Sequence, residues 1–219
     1  MVKIKWLGHA AWLVEGSDKS FIIDPFLSQN PKSAMKPNEI KKLDFIFITH
    51  NHFDHIGDAA ELAKTTGAKI VTTFETAQMM QKAGVPEAQT IGMNKGSEPI
   101  EIGGVKVALT HAEHSGNEVG FVIEIDGKRI YHAGDTALFG DMKYIGELYS
   151  PDVAMLPIGG YFTMAPKEAA IAADLIGAKI TLPMHYSTFP QIEQDPQKFA
   201  AMVKKSKVVV LKVGEEYAL

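Results

Sequence analysis

Six consecutive residues, His50-Asn51-His52-Phe53-Asp54-His55, carry three imidazoles and a carboxylate. Imidazole and carboxylate are first-choice ligands for zinc-like ions. Side chains so close in sequence converge on one point only where the backbone turns tightly, and Gly57 eases such a turn into the helix that follows. Polar groups behind a core strand need partners, and a metal ion suits this donor set. Three further segments offer the same chemistry. Tyr131-His132-Ala133-Gly134-Asp135-Thr136 ends a strand in a carboxylate, with Gly134 permitting close backbone approach. Leu182-Pro183-Met184-His185-Tyr186 delivers one imidazole at a strand end, and His111-Ala112-Glu113-His114-Ser115-Gly116 offers two. Singly, each has an ordinary structural reading. Beside the first run, they read as the separated ligands of one site.

The elements that must position these groups are legible in outline. Most of the eight histidines, His9, His50, His52, His55, His111, His114, His132 and His185, fall at or just beyond an expected strand end, where a rigid sheet presents chemistry. Lys3–Glu15 alternates around Gly8, and Ser20–Asp24 is a compact apolar run broken by Pro25. Residues 28–38 read as a loop. Phe45–Thr49 is apolar and β-branched, the pattern of a buried strand, and runs directly into His50. Helix and strand then alternate: a helix over Asp58–Thr65 stopped by Gly67, a strand over Lys69–Thr73, and a helix over Glu75–Ala83 closed by Gly84 and Pro86. Hairpins follow at Pro99–Ile102, Val105–His111, Val119–Ile125 and Arg129–His132, with Asp126-Gly127 as a turn pair. The last third predicts a helix near Met142–Leu148, a strand at Val153–Leu156, a helix over Lys167–Ile176, a strand at Ile180–Pro183, a helix over Pro196–Lys204 and a closing strand at Val208–Leu211. Each half runs hairpins and then β/α units. Two such halves stack sheet on sheet with helices outside, an α/β fold of four αββα layers.

Composition narrows the chemistry. At 219 residues the chain suits one domain, residues 1–219. With no cysteine, disulfides, thiolate metal sites, a cysteine nucleophile and iron–sulfur clusters are excluded, so a metal is held by imidazole and carboxylate, which suits Zn, Mn, Ni or Fe. A net charge of -4 and the lack of a long basic run argue against a grip on nucleic-acid phosphates. The N-terminus lacks a signal-peptide apolar run, and no stretch is long enough to span a bilayer. A cytoplasmic protein is the expectation. Lys204, Lys205 and Lys207 read as a solvated face, and Gly159–Met164 and Pro25–Pro37 as segments bordering a pocket.

In its order along nearly the whole chain, this set resembles the metallo-β-lactamase superfamily: Asp24 ending an early strand, the His-x-His-x-Asp-His run, a later His, Gly-Asp-Thr and a final His. Gly8-His9-Ala10, Ile23-Asp24-Pro25-Phe26, Ala133–Phe139 and Pro183–Tyr186 further resemble the small metal-dependent hydrolases related to L-ascorbate-6-phosphate lactonase. The resemblance implies a binuclear site of one or two divalent ions: His50, His52 and His114 on the first, Asp54, His55 and His185 on the second, and Asp135 bridging. His114 is preferred over His111 because small residues follow it. Asp24 would orient a ligand imidazole from behind, and His132 would support the site or the fold. His9 remains open between further ligand, acid/base group and substrate contact.

Without a Gly-x-Ser-x-Gly elbow or cysteine, water is the expected nucleophile, generated by two metals about 3.5–4 Å apart. Asp54 is a candidate proton acceptor. Among the superfamily's branches, a glyoxalase-II-like thioesterase adds a C-terminal domain for which too few residues follow His185. A tRNA-processing nuclease adds a basic arm. A flavodiiron oxidoreductase has Glu where this chain has His52, and adds a flavin domain. A hydrolase of a small-molecule lactone, ester or phosphodiester fits the length best. The alternatives are a metal-binding sensor or assembly protein without turnover, and a nuclease acting on RNA or DNA. A homo-oligomer that shapes the pocket mouth is compatible with the resemblance.

Overall fold

The computed structural model describes residues 1–96 and 98–219. The first sheet is built from β1 (Lys3–Gly8), β2 (Ala11–Glu15), β3 (Ser20–Ile23), β4 (Phe45–Phe47), β5 (Lys69–Thr73) and β6 (Thr90–Met93), in that spatial order. The second runs β7 (Ile100–Ile102), β8 (Val105–Thr110), β9 (Gly120–Ile125), β10 (Lys128–His132), β11 (Val153–Pro157), β12 (Ile180–Met184) and β13 (Lys207–Val208). A last strand, β14 (Glu216–Ala218), returns to the first sheet and pairs antiparallel with β1. The order of antiparallel and parallel pairs repeats. β1-β2-β3 and β8-β9-β10 are antiparallel; β3-β4-β5-β6 and β10-β11-β12-β13 are parallel.

Alternation along the strands creates the layers. Trp6, Trp12, Phe21, Phe47 and Val71 of the first sheet meet Val107, Phe121, Ile123, Met155 and Leu182 of the second in one core between the sheets. The intervening residues Leu13, Ile22, Ile46 and Ile70 face α2 (Ala59–Thr66) and α3 (Phe74–Lys82). On the far side, Val122, Tyr131, Ala154 and Leu156 face α4 (Met142–Tyr149), α5 (Pro166–Ile176) and α6 (Pro196–Met202). The result is the expected α/β sandwich, two mixed sheets between helices. Burial on both faces explains why β4 and β11 are apolar at every position. No helix among the described residues is long and apolar enough to cross a membrane.

Among the strands and α-helices described, β6, β14 and α1 (Phe53–Ile56), a single turn just before the helix expected from Asp58, were not foreseen. The closing strand expected at Val208–Leu211 is corrected. Only Lys207–Val208 pairs with β12 as a strand, although the Val209 amide still donates to Thr181 O at 3.0 Å. Beyond it the chain leaves that sheet edge, turns at Gly214 (φ 88) and crosses to β1. That crossing is a tertiary choice, which local apolar pattern does not encode.

Candidate metal centre

The site grows from the end of β4. Phe45 and Phe47 face the other sheet and Ile46 and Ile48 face the helices, so the first polar side chain is Thr49. The chain then turns through His50 and His52 into α1, which carries Asp54 and His55. Gly57 ends α1 at φ 41 and ψ -121. A Cβ there would stand 2.7 Å from Phe26 Cα and collide with the Pro25 carbonyl oxygen. Glycine is therefore needed for the turn to pack against the loop after β3, which brings the His55 ring within 4.0 Å of the His50 ring.

Asp24, buried at the end of β3, sets the tautomers of two imidazoles. Its Oδ1 accepts from the Thr49 amide at 2.8 Å, and its Oδ2 accepts from Thr49 Oγ1 at 2.7 Å and His55 Nδ1 at 2.7 Å. Because the Thr49 hydroxyl proton is committed to Asp24, Thr49 Oγ1 accepts from His50 Nδ1, 3.0 Å away. Both rings thus carry their proton on Nδ1 and turn Nε2 inward, the arrangement that metal-binding imidazoles require of the groups behind them.

Two donor sets result. His50 Nε2 lies 3.0 Å from His52 Nδ1, and the His114 ring stands 5.1 Å from each of those rings. In the second set, donor atoms of His9, Asp54, His55 and His185 all lie within 4.8 Å of one another. Asp135, after β10, stands against both sets: Oδ1 is 3.4 Å from His55 Nε2, and Oδ2 is 3.1 Å from His185 Nε2 and 3.6 Å from His114 Nε2. His55 Nε2, Asp135 Oδ1 and both ring nitrogens of His185 are buried without a hydrogen-bond partner. Leaving such groups unsatisfied costs about 1–3 kcal/mol each. Their convergence, with only nitrogen and oxygen donors, fits a divalent ion.

Electrostatics agrees. Burial pushes His50 far below the ordinary histidine range, reinforced by His55. Burial likewise lowers His114, and lowers His9 to about 4 with help from His185. These imidazoles are neutral and available as ligands at neutral pH. Burial opposes charge on Asp135, but the imidazoles of His185 and His55 outweigh it and hold the carboxyl well below its usual range. Burial likewise works to raise Asp54, and the hydrogen bond from His9 together with the His55 charge overcomes it. His55 is the exception: burial opposes its charge, but Asp135 and Asp24 outweigh burial and hold it well above its ordinary value, so a metal ion would have to displace the proton on Nε2 while Asp24 keeps the one on Nδ1.

Backbone strain marks the same place. His9, Asp24 and His185 have φ of 55, 44 and 53, positions that cost about 1–3 kcal/mol each and persist only where the surroundings over-determine them. The His9 carbonyl is fixed by Trp6 Nε1 at 3.0 Å and by the His185 amide at 3.0 Å. Its ring lies between Thr188 Oγ1 (2.9 Å from Nδ1) and Asp54 Oδ2 (3.1 Å from Nε2).

The sequence-derived residues His9, His50, His52, Asp54, His55, His114, Asp135 and His185 are thus brought together, with Asp24 behind them. His132 is not among the donors. Its Nδ1 accepts from the Gly134 amide at 3.1 Å and its Nε2 donates to Ala10 O at 3.0 Å, which ties the loop bearing Asp135 to the β1–β2 hairpin. His111 is exposed, beside Glu113, outside the site. Sequence reasoning missed Thr49, Thr188 and Ser115, whose Oγ is 3.3 Å from His52 Nε2. Thr49 had a signal, as the first hydroxyl after an apolar run. Thr188 had none, since only the fold brings it to His9.

Comparison with known proteins gives a consistent picture. A family model described as the beta-lactamase superfamily domain matches residues 19–186. The chain is 52% identical to a UPF0173 metal-dependent hydrolase from Thermococcus kodakarensis and 50% identical to one from Pyrococcus abyssi, with 100% of each chain covered in both cases. Among solved structures it is similar to Igni18, a metallo hydrolase from Ignicoccus hospitalis: TM-score 0.91, 40% identity, covering 100% of this chain and 99% of that one. A zinc-dependent hydrolase structure of the same superfamily from Thermotoga maritima shares the fold, with TM-score 0.66 at 24% identity, covering 96% of this chain and 98% of that one.

Proposed function

The chain belongs to the metallo-β-lactamase superfamily, among the UPF0173 metal-dependent hydrolases, and from that premise we propose that it hydrolyses a small-molecule ester, lactone or phosphodiester with water at a site for two divalent ions. His50, His52 and His114 would hold one ion and Asp54, His55 and His185 the other, with Asp135 available to both; the donor set suits Zn, Mn, Ni or Fe. The observation that carries this reading is Asp135, a buried carboxylate whose two oxygens face imidazoles of both donor sets. Residues 1–219 act as one catalytic unit, because the first sheet supplies His9, Asp24 and the His50–His55 run while the second supplies His114, Asp135 and His185.

Ions at such a site supply Lewis acidity and lower the pKa of water to about 7. Hydrolysis joins the water oxygen to the carbonyl or phosphoryl centre, breaks the bond to the leaving oxygen and leaves a proton there. Asp54 Oδ2 is the candidate acceptor for the proton that water gives up, and His9, 3.1 Å away, holds that oxygen in place and keeps it ionised and free to accept. Asp24 and Thr49 keep His50 and His55 in the tautomer that turns Nε2 inward. His132 holds the loop that bears Asp135.

Kinship with L-ascorbate-6-phosphate lactonase remains a finer reading, carried by the short matching segments alone. A test of the site is elemental analysis of protein purified without added metal. About two ions per chain in the wild type, lost in the His52→Ala, Asp135→Ala double variant, is expected. No retained metal after reconstitution with Zn, Mn, Ni and Fe would overturn the site. Metal without turnover of esters, lactones or bis-nitrophenyl phosphate would favour a sensor or assembly protein. Full activity and full metal content in Asp54→Ala would remove Asp54 from the proton step.

A further inference from the structure

A cavity of about 640 Å³ opens over the donor cluster, a volume within the range of small-molecule sites. Apart from the cluster itself, its lining consists of three phenylalanines, Phe53, Phe162 and Phe189, and three neutral polar residues, Asn51, Ser115 and Gln191. Among the described residues, no lysine or arginine lines it. Lys204 and Lys205, read as a solvated face, lie elsewhere: their backbone amides donate to Asp174 Oδ1 in α5.

Two of these rings are unusually open. Phe53 is 66% exposed and Phe162 53% exposed, although full burial of such a side chain is worth about 1.5–3 kcal/mol. Phe53 stands between His52 and Asp54 in sequence, so its ring is fixed to the peptide that carries the donors. Its edge meets Phe26 at 5.8 Å, and Phe26 in turn neighbours Phe189 at 6.3 Å. Phe162 is braced by Tyr161 at 4.7 Å, edge to face. The rings are held by aromatic neighbours while an apolar surface of each stays open at the cavity. Recognition of a remote phosphate or carboxylate uses Arg or Lys, and an anion placed in this lining would lose water without gaining a cation.

We infer that the substrate is uncharged away from the bond that is cut and presents an aryl or branched alkyl group, which sits against Phe53 and Phe162 while Asn51, Ser115 and Gln191 bond a neutral polar group. This rests on the hydrolase reading of the same site and deepens it. It also separates this chain from a catalyst for phosphorylated sugars, whose second charge would find no partner here.

The test has two arms on the full-length protein. In the first, N-phenylnaphthylamine, a neutral dye that brightens in apolar sites, is titrated into metal-free protein. Phe53→Ala and Phe162→Ala, both at exposed positions, each weaken its binding about tenfold, in line with the loss of one aromatic contact. In the second, kcat/KM on metal-loaded protein is compared for phenyl hydrocinnamate and its para-sulfonated analogue, in which the added charge lies far from the scissile carbonyl. The neutral ester is favoured by about tenfold or more. Equal dye affinity in wild type and both variants, or a sulfonated ester cleaved as well as the neutral one, overturns the inference. If neither ester is cleaved with any metal while dye binding still depends on both phenylalanines, the aryl site stands and the hydrolase reading of the cluster fails.

Discussion

Asp24→Asn perturbs the support behind His50 and His55 without replacing a proposed ligand. Asparagine keeps the size of the side chain and tolerates the positive φ of 44 at this position, so the backbone has no reason to move. The chemistry does change. Asp24 Oδ2 accepts from two donors, Thr49 Oγ1 and His55 Nδ1, and Oδ1 accepts from the Thr49 amide. An amide group at the Oδ2 position faces two donors; flipped, it faces the Thr49 N–H. Either way one buried N–H meets another donor and at least one further donor loses its acceptor. At about 1–3 kcal/mol per unsatisfied buried group, the expected loss is about 2–4 kcal/mol. For a chain of this size that is a fall in Tm of about 4–16 °C. If Thr49 turns its hydroxyl to accept from the new amide, or if His55 moves its proton to Nε2, an inward lone pair is lost and metal affinity falls about 10–100-fold. The assay is thermal unfolding by circular dichroism in chelator, which isolates the protein term, followed by metal titration. A Tm within a degree or two of wild type, with metal affinity unchanged, would refute the tautomer argument.

Gly57→Ala should destabilise the metal-free protein by about 2–4 kcal/mol, read from denaturant midpoints, because the new Cβ meets Phe26 Cα and the Pro25 carbonyl at positive φ; an unchanged midpoint would mean that the α1 turn is not held as described. Chelation should lower Tm and Zn or Mn should restore it, by about 4 kcal/mol at a thousandfold excess over Kd; metal-independent Tm would argue against a site that binds the folded state. Burial lowers the pKa of His132, so its contribution to stability is full above 6.5 and is lost as pH falls below that value. Between about pH 7.5 and pH 5, metal-free wild type should lose more stability than His132→Gln; parallel curves would show that His132 does not titrate with unfolding.

Much of the site was legible because metal chemistry restricts it to few residue types. The run His50–His55 stood out because a strand buried on both faces cannot continue into polar residues without a purpose for them, and β4 is such a strand. His185 and Asp135 were readable as strand ends for the same reason. Residues that act through backbone position were harder to see. Thr188 reaches His9 across 179 residues of sequence, and nothing local marks it. β14 was invisible because its residues Glu216-Tyr217-Ala218 lack an apolar run; the strand exists because the first sheet offers an edge at β1. His132 was read as a supporting residue rather than a ligand, and its contacts agree. It stands three residues before the ligand candidate Asp135, and both of its nitrogens are spent on backbone groups.

The repeated topology explains why neither half can hold the site alone. The amide of Asp24 bonds Phe47 O at 2.9 Å, and the amide of Ala133 bonds Met155 O at 3.1 Å, so these residues occupy equivalent places after β3 and β10. Likewise Ile48 bonds Val71 O and Ile158 bonds Met184 O, which makes Thr49-His50 the counterpart of Gly159-Gly160. The halves have the same frame and opposite fillings. Where the first half places Asp24 to orient imidazoles, the second places a small Ala133 and defers its carboxylate to Asp135, two residues on. Where the first places a run of donors after its fourth strand, the second places two glycines, and Phe162 just beyond them lines the cavity. Donors and apolar lining thus come from both sides of the seam, which is the arrangement a hydrolase needs: groups that hold the reacting centre, and beside them a surface that selects what is brought to it.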